Sequence, residues 1–313
     1  MLFRRVCKIL LVDTPANKLS FPVKQSKMSI STSNELKFKD FRLLSDGNRM
    51  PAFGLGCYKL TEDEATSAVR CAISRGYRMF DTAAYYGNER QVGIALRESN
   101  LHRSEYFVVT KLWHSNHGYE ATVDAIGKSL SDLGLSYIDL YLIHGPAAGK
   151  NIESWSAMIE MKSKGFIKSI GVSNFNIHHI QPIKDAGLEL PVVNQIELHP
   201  WLQQKEVVEF CRRNGIFMMG YCPLARCSFF EPGQYEIMDV TSLKYCKTKA
   251  QILLRWALQK GFITIPKSSQ NERINENADI FDFQLDEIEM RALDALDCNG
   301  RVSTASINSP WID

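Results

Sequence analysis

No apolar run in this chain approaches the ~20 consecutive residues that a membrane-spanning helix requires, so no membrane role is expected. A surplus of one charge is also missing. Lysine and arginine number 37 against 35 acids, a net +2. That balance leaves no bulk field for nucleic acid or an anionic membrane and confines any basic site to a local cluster. The eight cysteines, Cys7, Cys57, Cys71, Cys211, Cys222, Cys227, Cys246 and Cys298, have neither a C-x-x-C step nor a disulfide-framework rhythm. Their scatter fits a reducing compartment. His114-x-x-His117 and the adjacent His178-His179 lack Cys, Asp or Glu at companion spacing, so no metal is expected. A phosphate-cradling G-x-G-x-x-G is not completed either, because Gly54-Leu55-Gly56-Cys57-Tyr58-Lys59 puts lysine where the third glycine belongs. This sets aside a doubly wound dinucleotide fold and leaves the two glycines to backbone geometry.

What is present is an alternation. At 313 residues, 45% hydrophobic and 23% charged, the chain can bury a large core. Residues 1–33 stand apart: Arg4, Arg5, Lys8, Lys18, Lys24 and Lys27 meet a single acid, Asp13. A basic, acid-poor start reads either as a mitochondrial transit segment or as a disordered extension ahead of Met28. The working domain is taken as 34–313, with a cytoplasmic location expected, or a mitochondrial one if the first 27 residues are a targeting signal. Apolar runs Phe38–Leu44 and Met50–Leu55 flank Ser45-Asp46-Gly47-Asn48, a hairpin signal. Thr61 and Glu64 form a capping box for a helix that Gly76 stops.

Strand-like runs then follow at Tyr77–Phe80, Phe107–Leu112, Ile138–His144, Ile167–Val172, Val192–Leu198, Phe217–Tyr221 and Phe262–Ile265. Helical patterns separate them at roughly 89–99, 119–134, 152–164, 177–186, 204–214, 248–260 and 285–296. With Met50–Gly56 as the first strand or as half of the hairpin, the count reaches about eight buried-type strands, and a (β/α)8 barrel fits best.

A barrel collects function at the C-terminal ends of its strands, because only those loops share one mouth. Those ends carry Asp81, Lys111, His144, Ser173 with Asn174, Gln195, Tyr221, and Lys267 with Ser268. Any one alone reads as a cap or a satisfied core group. Seven polar endings in series favour a site.

The segments Phe80-Asp-Thr-Ala-Ala-Tyr-Tyr-Gly-Asn-Glu89, Thr110-Lys-Leu-Trp113, Asp139-Leu-Tyr-Leu-Ile-His144, Gly171-Val-Ser-Asn-Phe-Asn176, Asn194-Gln-Ile-Glu-Leu-His-Pro200 and Ile265-Pro-Lys-Ser268 resemble the serial motifs of the aldo-keto reductases. The resemblance spans about residues 38 to 300. It implies a hairpin closing the barrel bottom, NADPH extended across the mouth, and reduction of carbonyls to alcohols. By the same resemblance Tyr86 is the proton donor. An ordinary phenol holds its proton at a pKa of about 10, and lowering that by two units takes about 2.7 kcal/mol of preference for phenolate. Lys111 is expected to supply it, Asp81 to keep the ammonium charged and aimed, and His144 to orient the carbonyl oxygen. Tyr85 reads as packing that points elsewhere.

For the cofactor, the resemblance implies Ser173, Asn174 and Gln195 on the nicotinamide carboxamide, with Tyr221 stacked on the ring. Cys222 and Leu224 fall in the loop that follows. Lys267, Ser268, Arg273 and Asn277 lie on the last strand's loop and the turn after it, with charges suited to a 2′-phosphate. Tyr58, Trp113 and His144 are the expected substrate contacts. Departures from the family pattern are Cys222 for a small hydroxyl residue, a loop from Pro223 to Phe230 without a glycine-rich clamp, Tyr58 for Trp, and Gly145 for Trp after the active-site His. The lost indole area implies a shallow, open pocket suited to small aldehydes or α-dicarbonyls such as methylglyoxal. The expected partner is a small carbonyl compound and the expected state a monomer. Two alternatives stay open: a weakly catalytic NADPH-binding sensor or structural member of the same fold family, and an NAD(P)H-dependent sugar reductase.

Overall fold

The computed structural model describes residues 36–303. The expectations for residues 1–33 lie outside them.

The hairpin forms as the Asp-Gly signal implies. β1 (Phe41–Leu43) and β2 (Arg49–Pro51) pair antiparallel, Phe41 opposite Pro51 and Leu43 opposite Arg49. Gly47 takes φ 86°, a left-handed conformation open to glycine at little cost. Asn48 Nδ2 donates to Lys168 O (3.1 Å) and Ser169 Oγ (3.0 Å), tying the hairpin to the base of the barrel. The second apolar run therefore divides between two structures, with β2 in the hairpin and β3 (Leu55–Gly56) in the barrel.

Next in the barrel come β4 (Met79–Asp81), β5 (Phe107–Leu112), β6 (Ile138–Ile143), β7 (Ile167–Ser173), β8 (Val193–Glu197), β9 (Phe217–Tyr221) and β10 (Ile263–Thr264). From β3 to β10 each strand pairs in parallel with the next. Bridges Phe53↔Thr264 and Gly56↔Lys267 close the circle. Close approach explains the Gly54 and Gly56 pair. A Cβ on Gly54 would stand 2.8 Å from Met79 O, and one on Gly56 would stand 3.0 Å from Ile265 O. Side chains there would push β3 off both neighbours.

Alternation along the strands fills two cores. Met79, Val109, Leu140, Leu142, Val193, Met219 and Ile263 form an inner cluster, and Leu44 and Met50 of the hairpin join it. The outer faces pack with the helices, where Phe80, Val108, Tyr141, Ile143 and Trp155 share one larger cluster. The barrel is thus a packed core whose polar residues are displaced to its rims.

The helices are α1 (Glu62–Arg75), α2 (Glu89–Arg97), α3 (Tyr119–Leu133), α4 (Asn151–Ser163), α5 (Ile177–Asp185), α6 (Lys205–Arg213), α7 (Glu236–Tyr245), α8 (Lys249–Gln259), α9 (Asn271–Asn277) and α10 (Glu287–Asp294). Thr61 caps α1 with Glu64, and Gly76 ends it at φ 102°, both as expected. Two helices correct the sequence reading. α7 was not anticipated, because its apolar residues form no single stripe: Met238 is buried while Val240 and Leu243 face solvent. Residues 271–277, expected as a turn, form α9.

Candidate active site

β4 delivers Asp81 to the barrel mouth, and the chain then turns sharply through a 3-10 turn, Ala84–Tyr86, that Gly87 terminates at φ 69°. In such a turn successive side chains diverge by about 120°, so Tyr86 points inward while Tyr85 does not. The turn is fastened by a residue that the sequence reading passed over. Asn88 is fully buried, accepts from Thr82 Oγ1 (2.7 Å), and donates to Cys57 O (2.9 Å) and Leu60 O (3.1 Å). It stitches the loop after β3 to the loop after β4. Its place beside Gly87 signalled only a turn former, and nothing in the sequence marked an inward-facing amide.

β5 brings Lys111 beneath this turn with no exposed side-chain surface. Its ammonium donates to Asp81 Oδ1 (2.7 Å), Thr82 O (2.8 Å) and Tyr86 Oη (3.3 Å). Three donors meet three acceptors, so the buried charge is compensated. Burial pushes Asp81 up and Lys111 down, and each opposes the other's shift by holding its partner charged. Asp81 Oδ2 accepts from Gln195 Nε2 (2.8 Å), which links β8 to the pair.

The expected lowering of the Tyr86 pKa is not what the structure produces. Burial first, and then the Asp81 carboxylate, hold the Tyr86 phenol well above its ordinary value. Lys111 fails to lower it because Asp81 sits closer to the ammonium than the phenol does, so Tyr86 faces a nearly neutral pair instead of a bare cation. One geometric consequence is clear. Lysine has only donors, so Tyr86 Oη accepts from it and directs its own hydrogen elsewhere.

His144 follows β6 and stands edge-on to Tyr86, centroids 5.6 Å apart, and to Trp113, 5.2 Å apart. Burial, followed by the Lys111 charge, holds its pKa well below the usual imidazole value, so it is neutral at pH 7. Tyr58 leans on Tyr86 at 4.9 Å. Tyr85 packs as expected, but on the rim and not in the interior. It is 51% exposed and lies flat on Trp113, 3.7 Å between centroids and 13° between planes. Asp81, Tyr86, Lys111 and His144 therefore converge as expected, ringed by Tyr58, Tyr85 and Trp113.

The residues expected to hold a cofactor line the adjoining arc. Ser173 Oγ donates to Gln195 O (2.8 Å), Asn174 Nδ2 donates to His144 O (2.8 Å), and Tyr221 Oη donates to Asn174 Oδ1 (2.8 Å). Asn174 sits at φ 60°. Both of its amide hydrogens serve the protein, the second going to Ser173 Oγ, so its first task is to lock the loops after β6, β7 and β9 together. Gln195 spends its amide on Asp81 and Met219 Sδ, leaving the carbonyl Oε1 to accept from a carboxamide.

Cys222 is half-buried at φ 49°, with its thiol pushed up to about 11 by burial and then by Glu197. Leu224 is half-buried just beyond it. Ser268 is buried and turned onto Gln270, accepting from its amide at 3.0 Å. Arg273 projects from α9 close enough to bear on Cys227, and Asn277 is buried at the end of that helix. Lys59, Arg226, Lys267 and Arg273 are all exposed, and none forms an ion pair among the described residues. A half-exposed tyrosine ring, a spare amide carbonyl and unpaired cations suit a dinucleotide bearing phosphates. A surface groove of about 610 Å³ lies apart from this site, between α1 and α9.

Comparison with known proteins bears on this geometry. A sequence profile described as "Aldo/keto reductase family" matches residues 51–297. The glyoxal reductase of Bacillus subtilis (strain 168) is 45% identical over 266 residues, which cover 84% of this chain and 95% of that protein. The methylglyoxal reductase DkgA of Escherichia coli O157:H7 is 44% identical over 261 residues, covering 83% and 94% respectively. Among solved structures, a mutant of Gox0644 in complex with NADPH superposes with a TM-score of 0.80 at 39% identity, covering 85% of this chain and 97% of that one.

Proposed function

Because the chain belongs to the aldo/keto reductase family, we propose that it reduces small aldehydes and α-dicarbonyls to alcohols with NADPH, Tyr86 giving the proton. The observation that carries this reading is the contact of Lys111 Nζ with Tyr86 Oη at 3.3 Å, which turns the phenolic hydrogen away from the ion pair and toward the mouth. NADPH, when bound, supplies a hydride to the carbonyl carbon. Negative charge then gathers on the carbonyl oxygen, where Tyr86 and neutral His144 both offer hydrogens. The raised Tyr86 pKa is compatible with this direction, because the phenol stays protonated until an alkoxide forms to take its proton. Lys111 keeps one donor on the phenolate that remains.

Gln195, Asn174 and Tyr221 would orient the nicotinamide, while Lys267 and Arg273 would meet a 2′-phosphate, which favours NADPH over NADH. The preference for small α-dicarbonyls draws on Tyr58 and Gly145 standing where the family commonly has Trp, and on the names of the relatives at 44–45% identity. The same raised pKa also supports a second reading, a cofactor-binding protein of low turnover. Measuring NADPH oxidation with methylglyoxal alongside NADPH binding by tryptophan fluorescence separates the two. Turnover of at least about one per second, within the ordinary enzyme range, supports the reductase. Binding without turnover leaves the sensor.

A further inference from the structure

Tyr85 is an exposed aromatic ring in a place where exposure has a cost. The large hydrophobic side chains exposed among the described residues include Phe41 and Leu43 on the hairpin, Phe166 just before β7, Val240 and Leu243 on α7, and Ile288 on α10. Tyr85 differs in standing at the mouth, next in sequence to Tyr86. One face of its ring lies on Trp113 at 3.7 Å and 13°. At 51% exposure, much of the remaining ring surface is open to solvent. The ring also stands at 81° to His144, with centroids 6.2 Å apart. Tyr58, whose ring leans on Tyr86, is near enough for the Tyr85 hydroxyl to bear on its own.

Resting on the carbonyl-reductase reading above, we infer that Tyr85 is a specificity-determining residue that selects planar, conjugated carbonyl substrates by stacking. The Trp113–Tyr85 pair is a preformed stack that holds the tyrosine ring in one orientation. A flat arene entering toward His144 extends that stack by one layer, and its aldehyde carbon stays free to approach the oxygen site. Offset stacking adds to simple burial because ring faces and edges carry opposite partial charge. An aliphatic dicarbonyl has no ring to present and gains none of this.

The test compares 4-nitrobenzaldehyde with methylglyoxal in the wild type, Tyr85→Ala, Tyr85→Leu and Tyr85→Phe. For Tyr85→Ala the ratio of kcat/KM, aryl over aliphatic, is expected to fall about fivefold, the scale of one aromatic pair. The loss should appear in KM for the aryl substrate. Tyr85→Phe should keep the ratio, and Tyr85→Leu should fall with alanine because area without a π-face does not stack. An unchanged ratio in Tyr85→Ala, or a Tyr85→Phe ratio as low as alanine's, overturns the inference. Wild type that reduces neither carbonyl would refute the reductase reading instead. Thermal melting of each variant reports folding directly, and an exposed side chain is a mild site for it.

Discussion

At the barrel mouth Lys111 Nζ lies 2.7 Å from Asp81, and at the opposite end Arg103 Nη2 lies 2.6 Å from Asp139. Both pairs are largely buried, and burial raises both aspartates. What surrounds each pair differs. Arg103 spends its donors on Tyr106 O (3.0 Å), Tyr137 O (2.8 Å) and Asp139, with its guanidinium 3.8 Å from the Tyr137 ring centroid. Asp139 also accepts from Val108 N (2.8 Å), which ties β6 to β5. The bottom pair is held by two backbone carbonyls and a backbone amide and built around a cation that cannot lose its proton. At the mouth, the third donor of Lys111 goes to a side-chain hydroxyl at 3.3 Å, long enough to shorten when a charge forms there. A buried ion pair alone therefore does not mark a site. An ion pair with one donor aimed at a group that changes charge does.

The comparison predicts its own failures. The largest effect belongs to Tyr86→Phe, where kcat should fall about 10³-fold, the scale of general acid catalysis, with NADPH still bound in a fluorescence titration. Activity near wild type would remove Tyr86 from the mechanism. Next, Lys111→Met and Arg103→Met each strand a buried carboxylate, and each should cost about 3–5 kcal/mol in urea unfolding. Turnover per folded molecule should collapse only for Lys111→Met. If Arg103→Met loses turnover equally while folded, the contrast between the two ends is wrong.

A smaller effect is expected for Asn88→Ala, which leaves Cys57 O, Leu60 O and Thr82 Oγ1 without their partner, at about 1–3 kcal/mol for an unsatisfied buried group. Because Asn88 fixes the turn and touches no substrate, kcat should drop more than KM rises.

The pH dependence follows from His117, whose pKa is held down to about 4 by burial and then by His114. Its ring meets Ser154 Oγ at 3.3 Å, and that hydroxyl accepts from Gly118 N at 2.9 Å, joining the Trp113 loop to α4. A neutral native histidine that charges readily when unfolded contributes stability fully present above about pH 6.5, and this is lost as pH falls toward 4. Melting temperature should decline across that window, and His117→Gln should flatten the slope. The least effect is expected at the exposed Arg70–Glu98 pair, where Glu98→Gln should change stability by under about 0.5 kcal/mol and leave turnover alone.

Much of this was legible in the chain. The strand runs, the hairpin, the capping box and the strand-end residues Asp81, Lys111 and His144 with Tyr86 all lie where periodicity, turn residues and motif order put them, since those signals are local. Asn88 and Tyr85 were not legible. One is a turn former whose amide faces inward, and the other is a ring expected to pack, which lies on Trp113 yet stays 51% exposed. α7 escaped because a helix packed on α8 and α10 with two apolar residues in solvent shows no clean stripe.

By itself the sequence determined the alternation from which the barrel followed and which residue types end each strand, and its resemblance to a family implied the chemistry. The tertiary structure alone decided how charge is shared among them. Distances and burial, which no spacing encodes, put Asp81 nearer to Lys111 than Tyr86 is, and so they keep the phenol protonated where the family resemblance had implied a loosened proton.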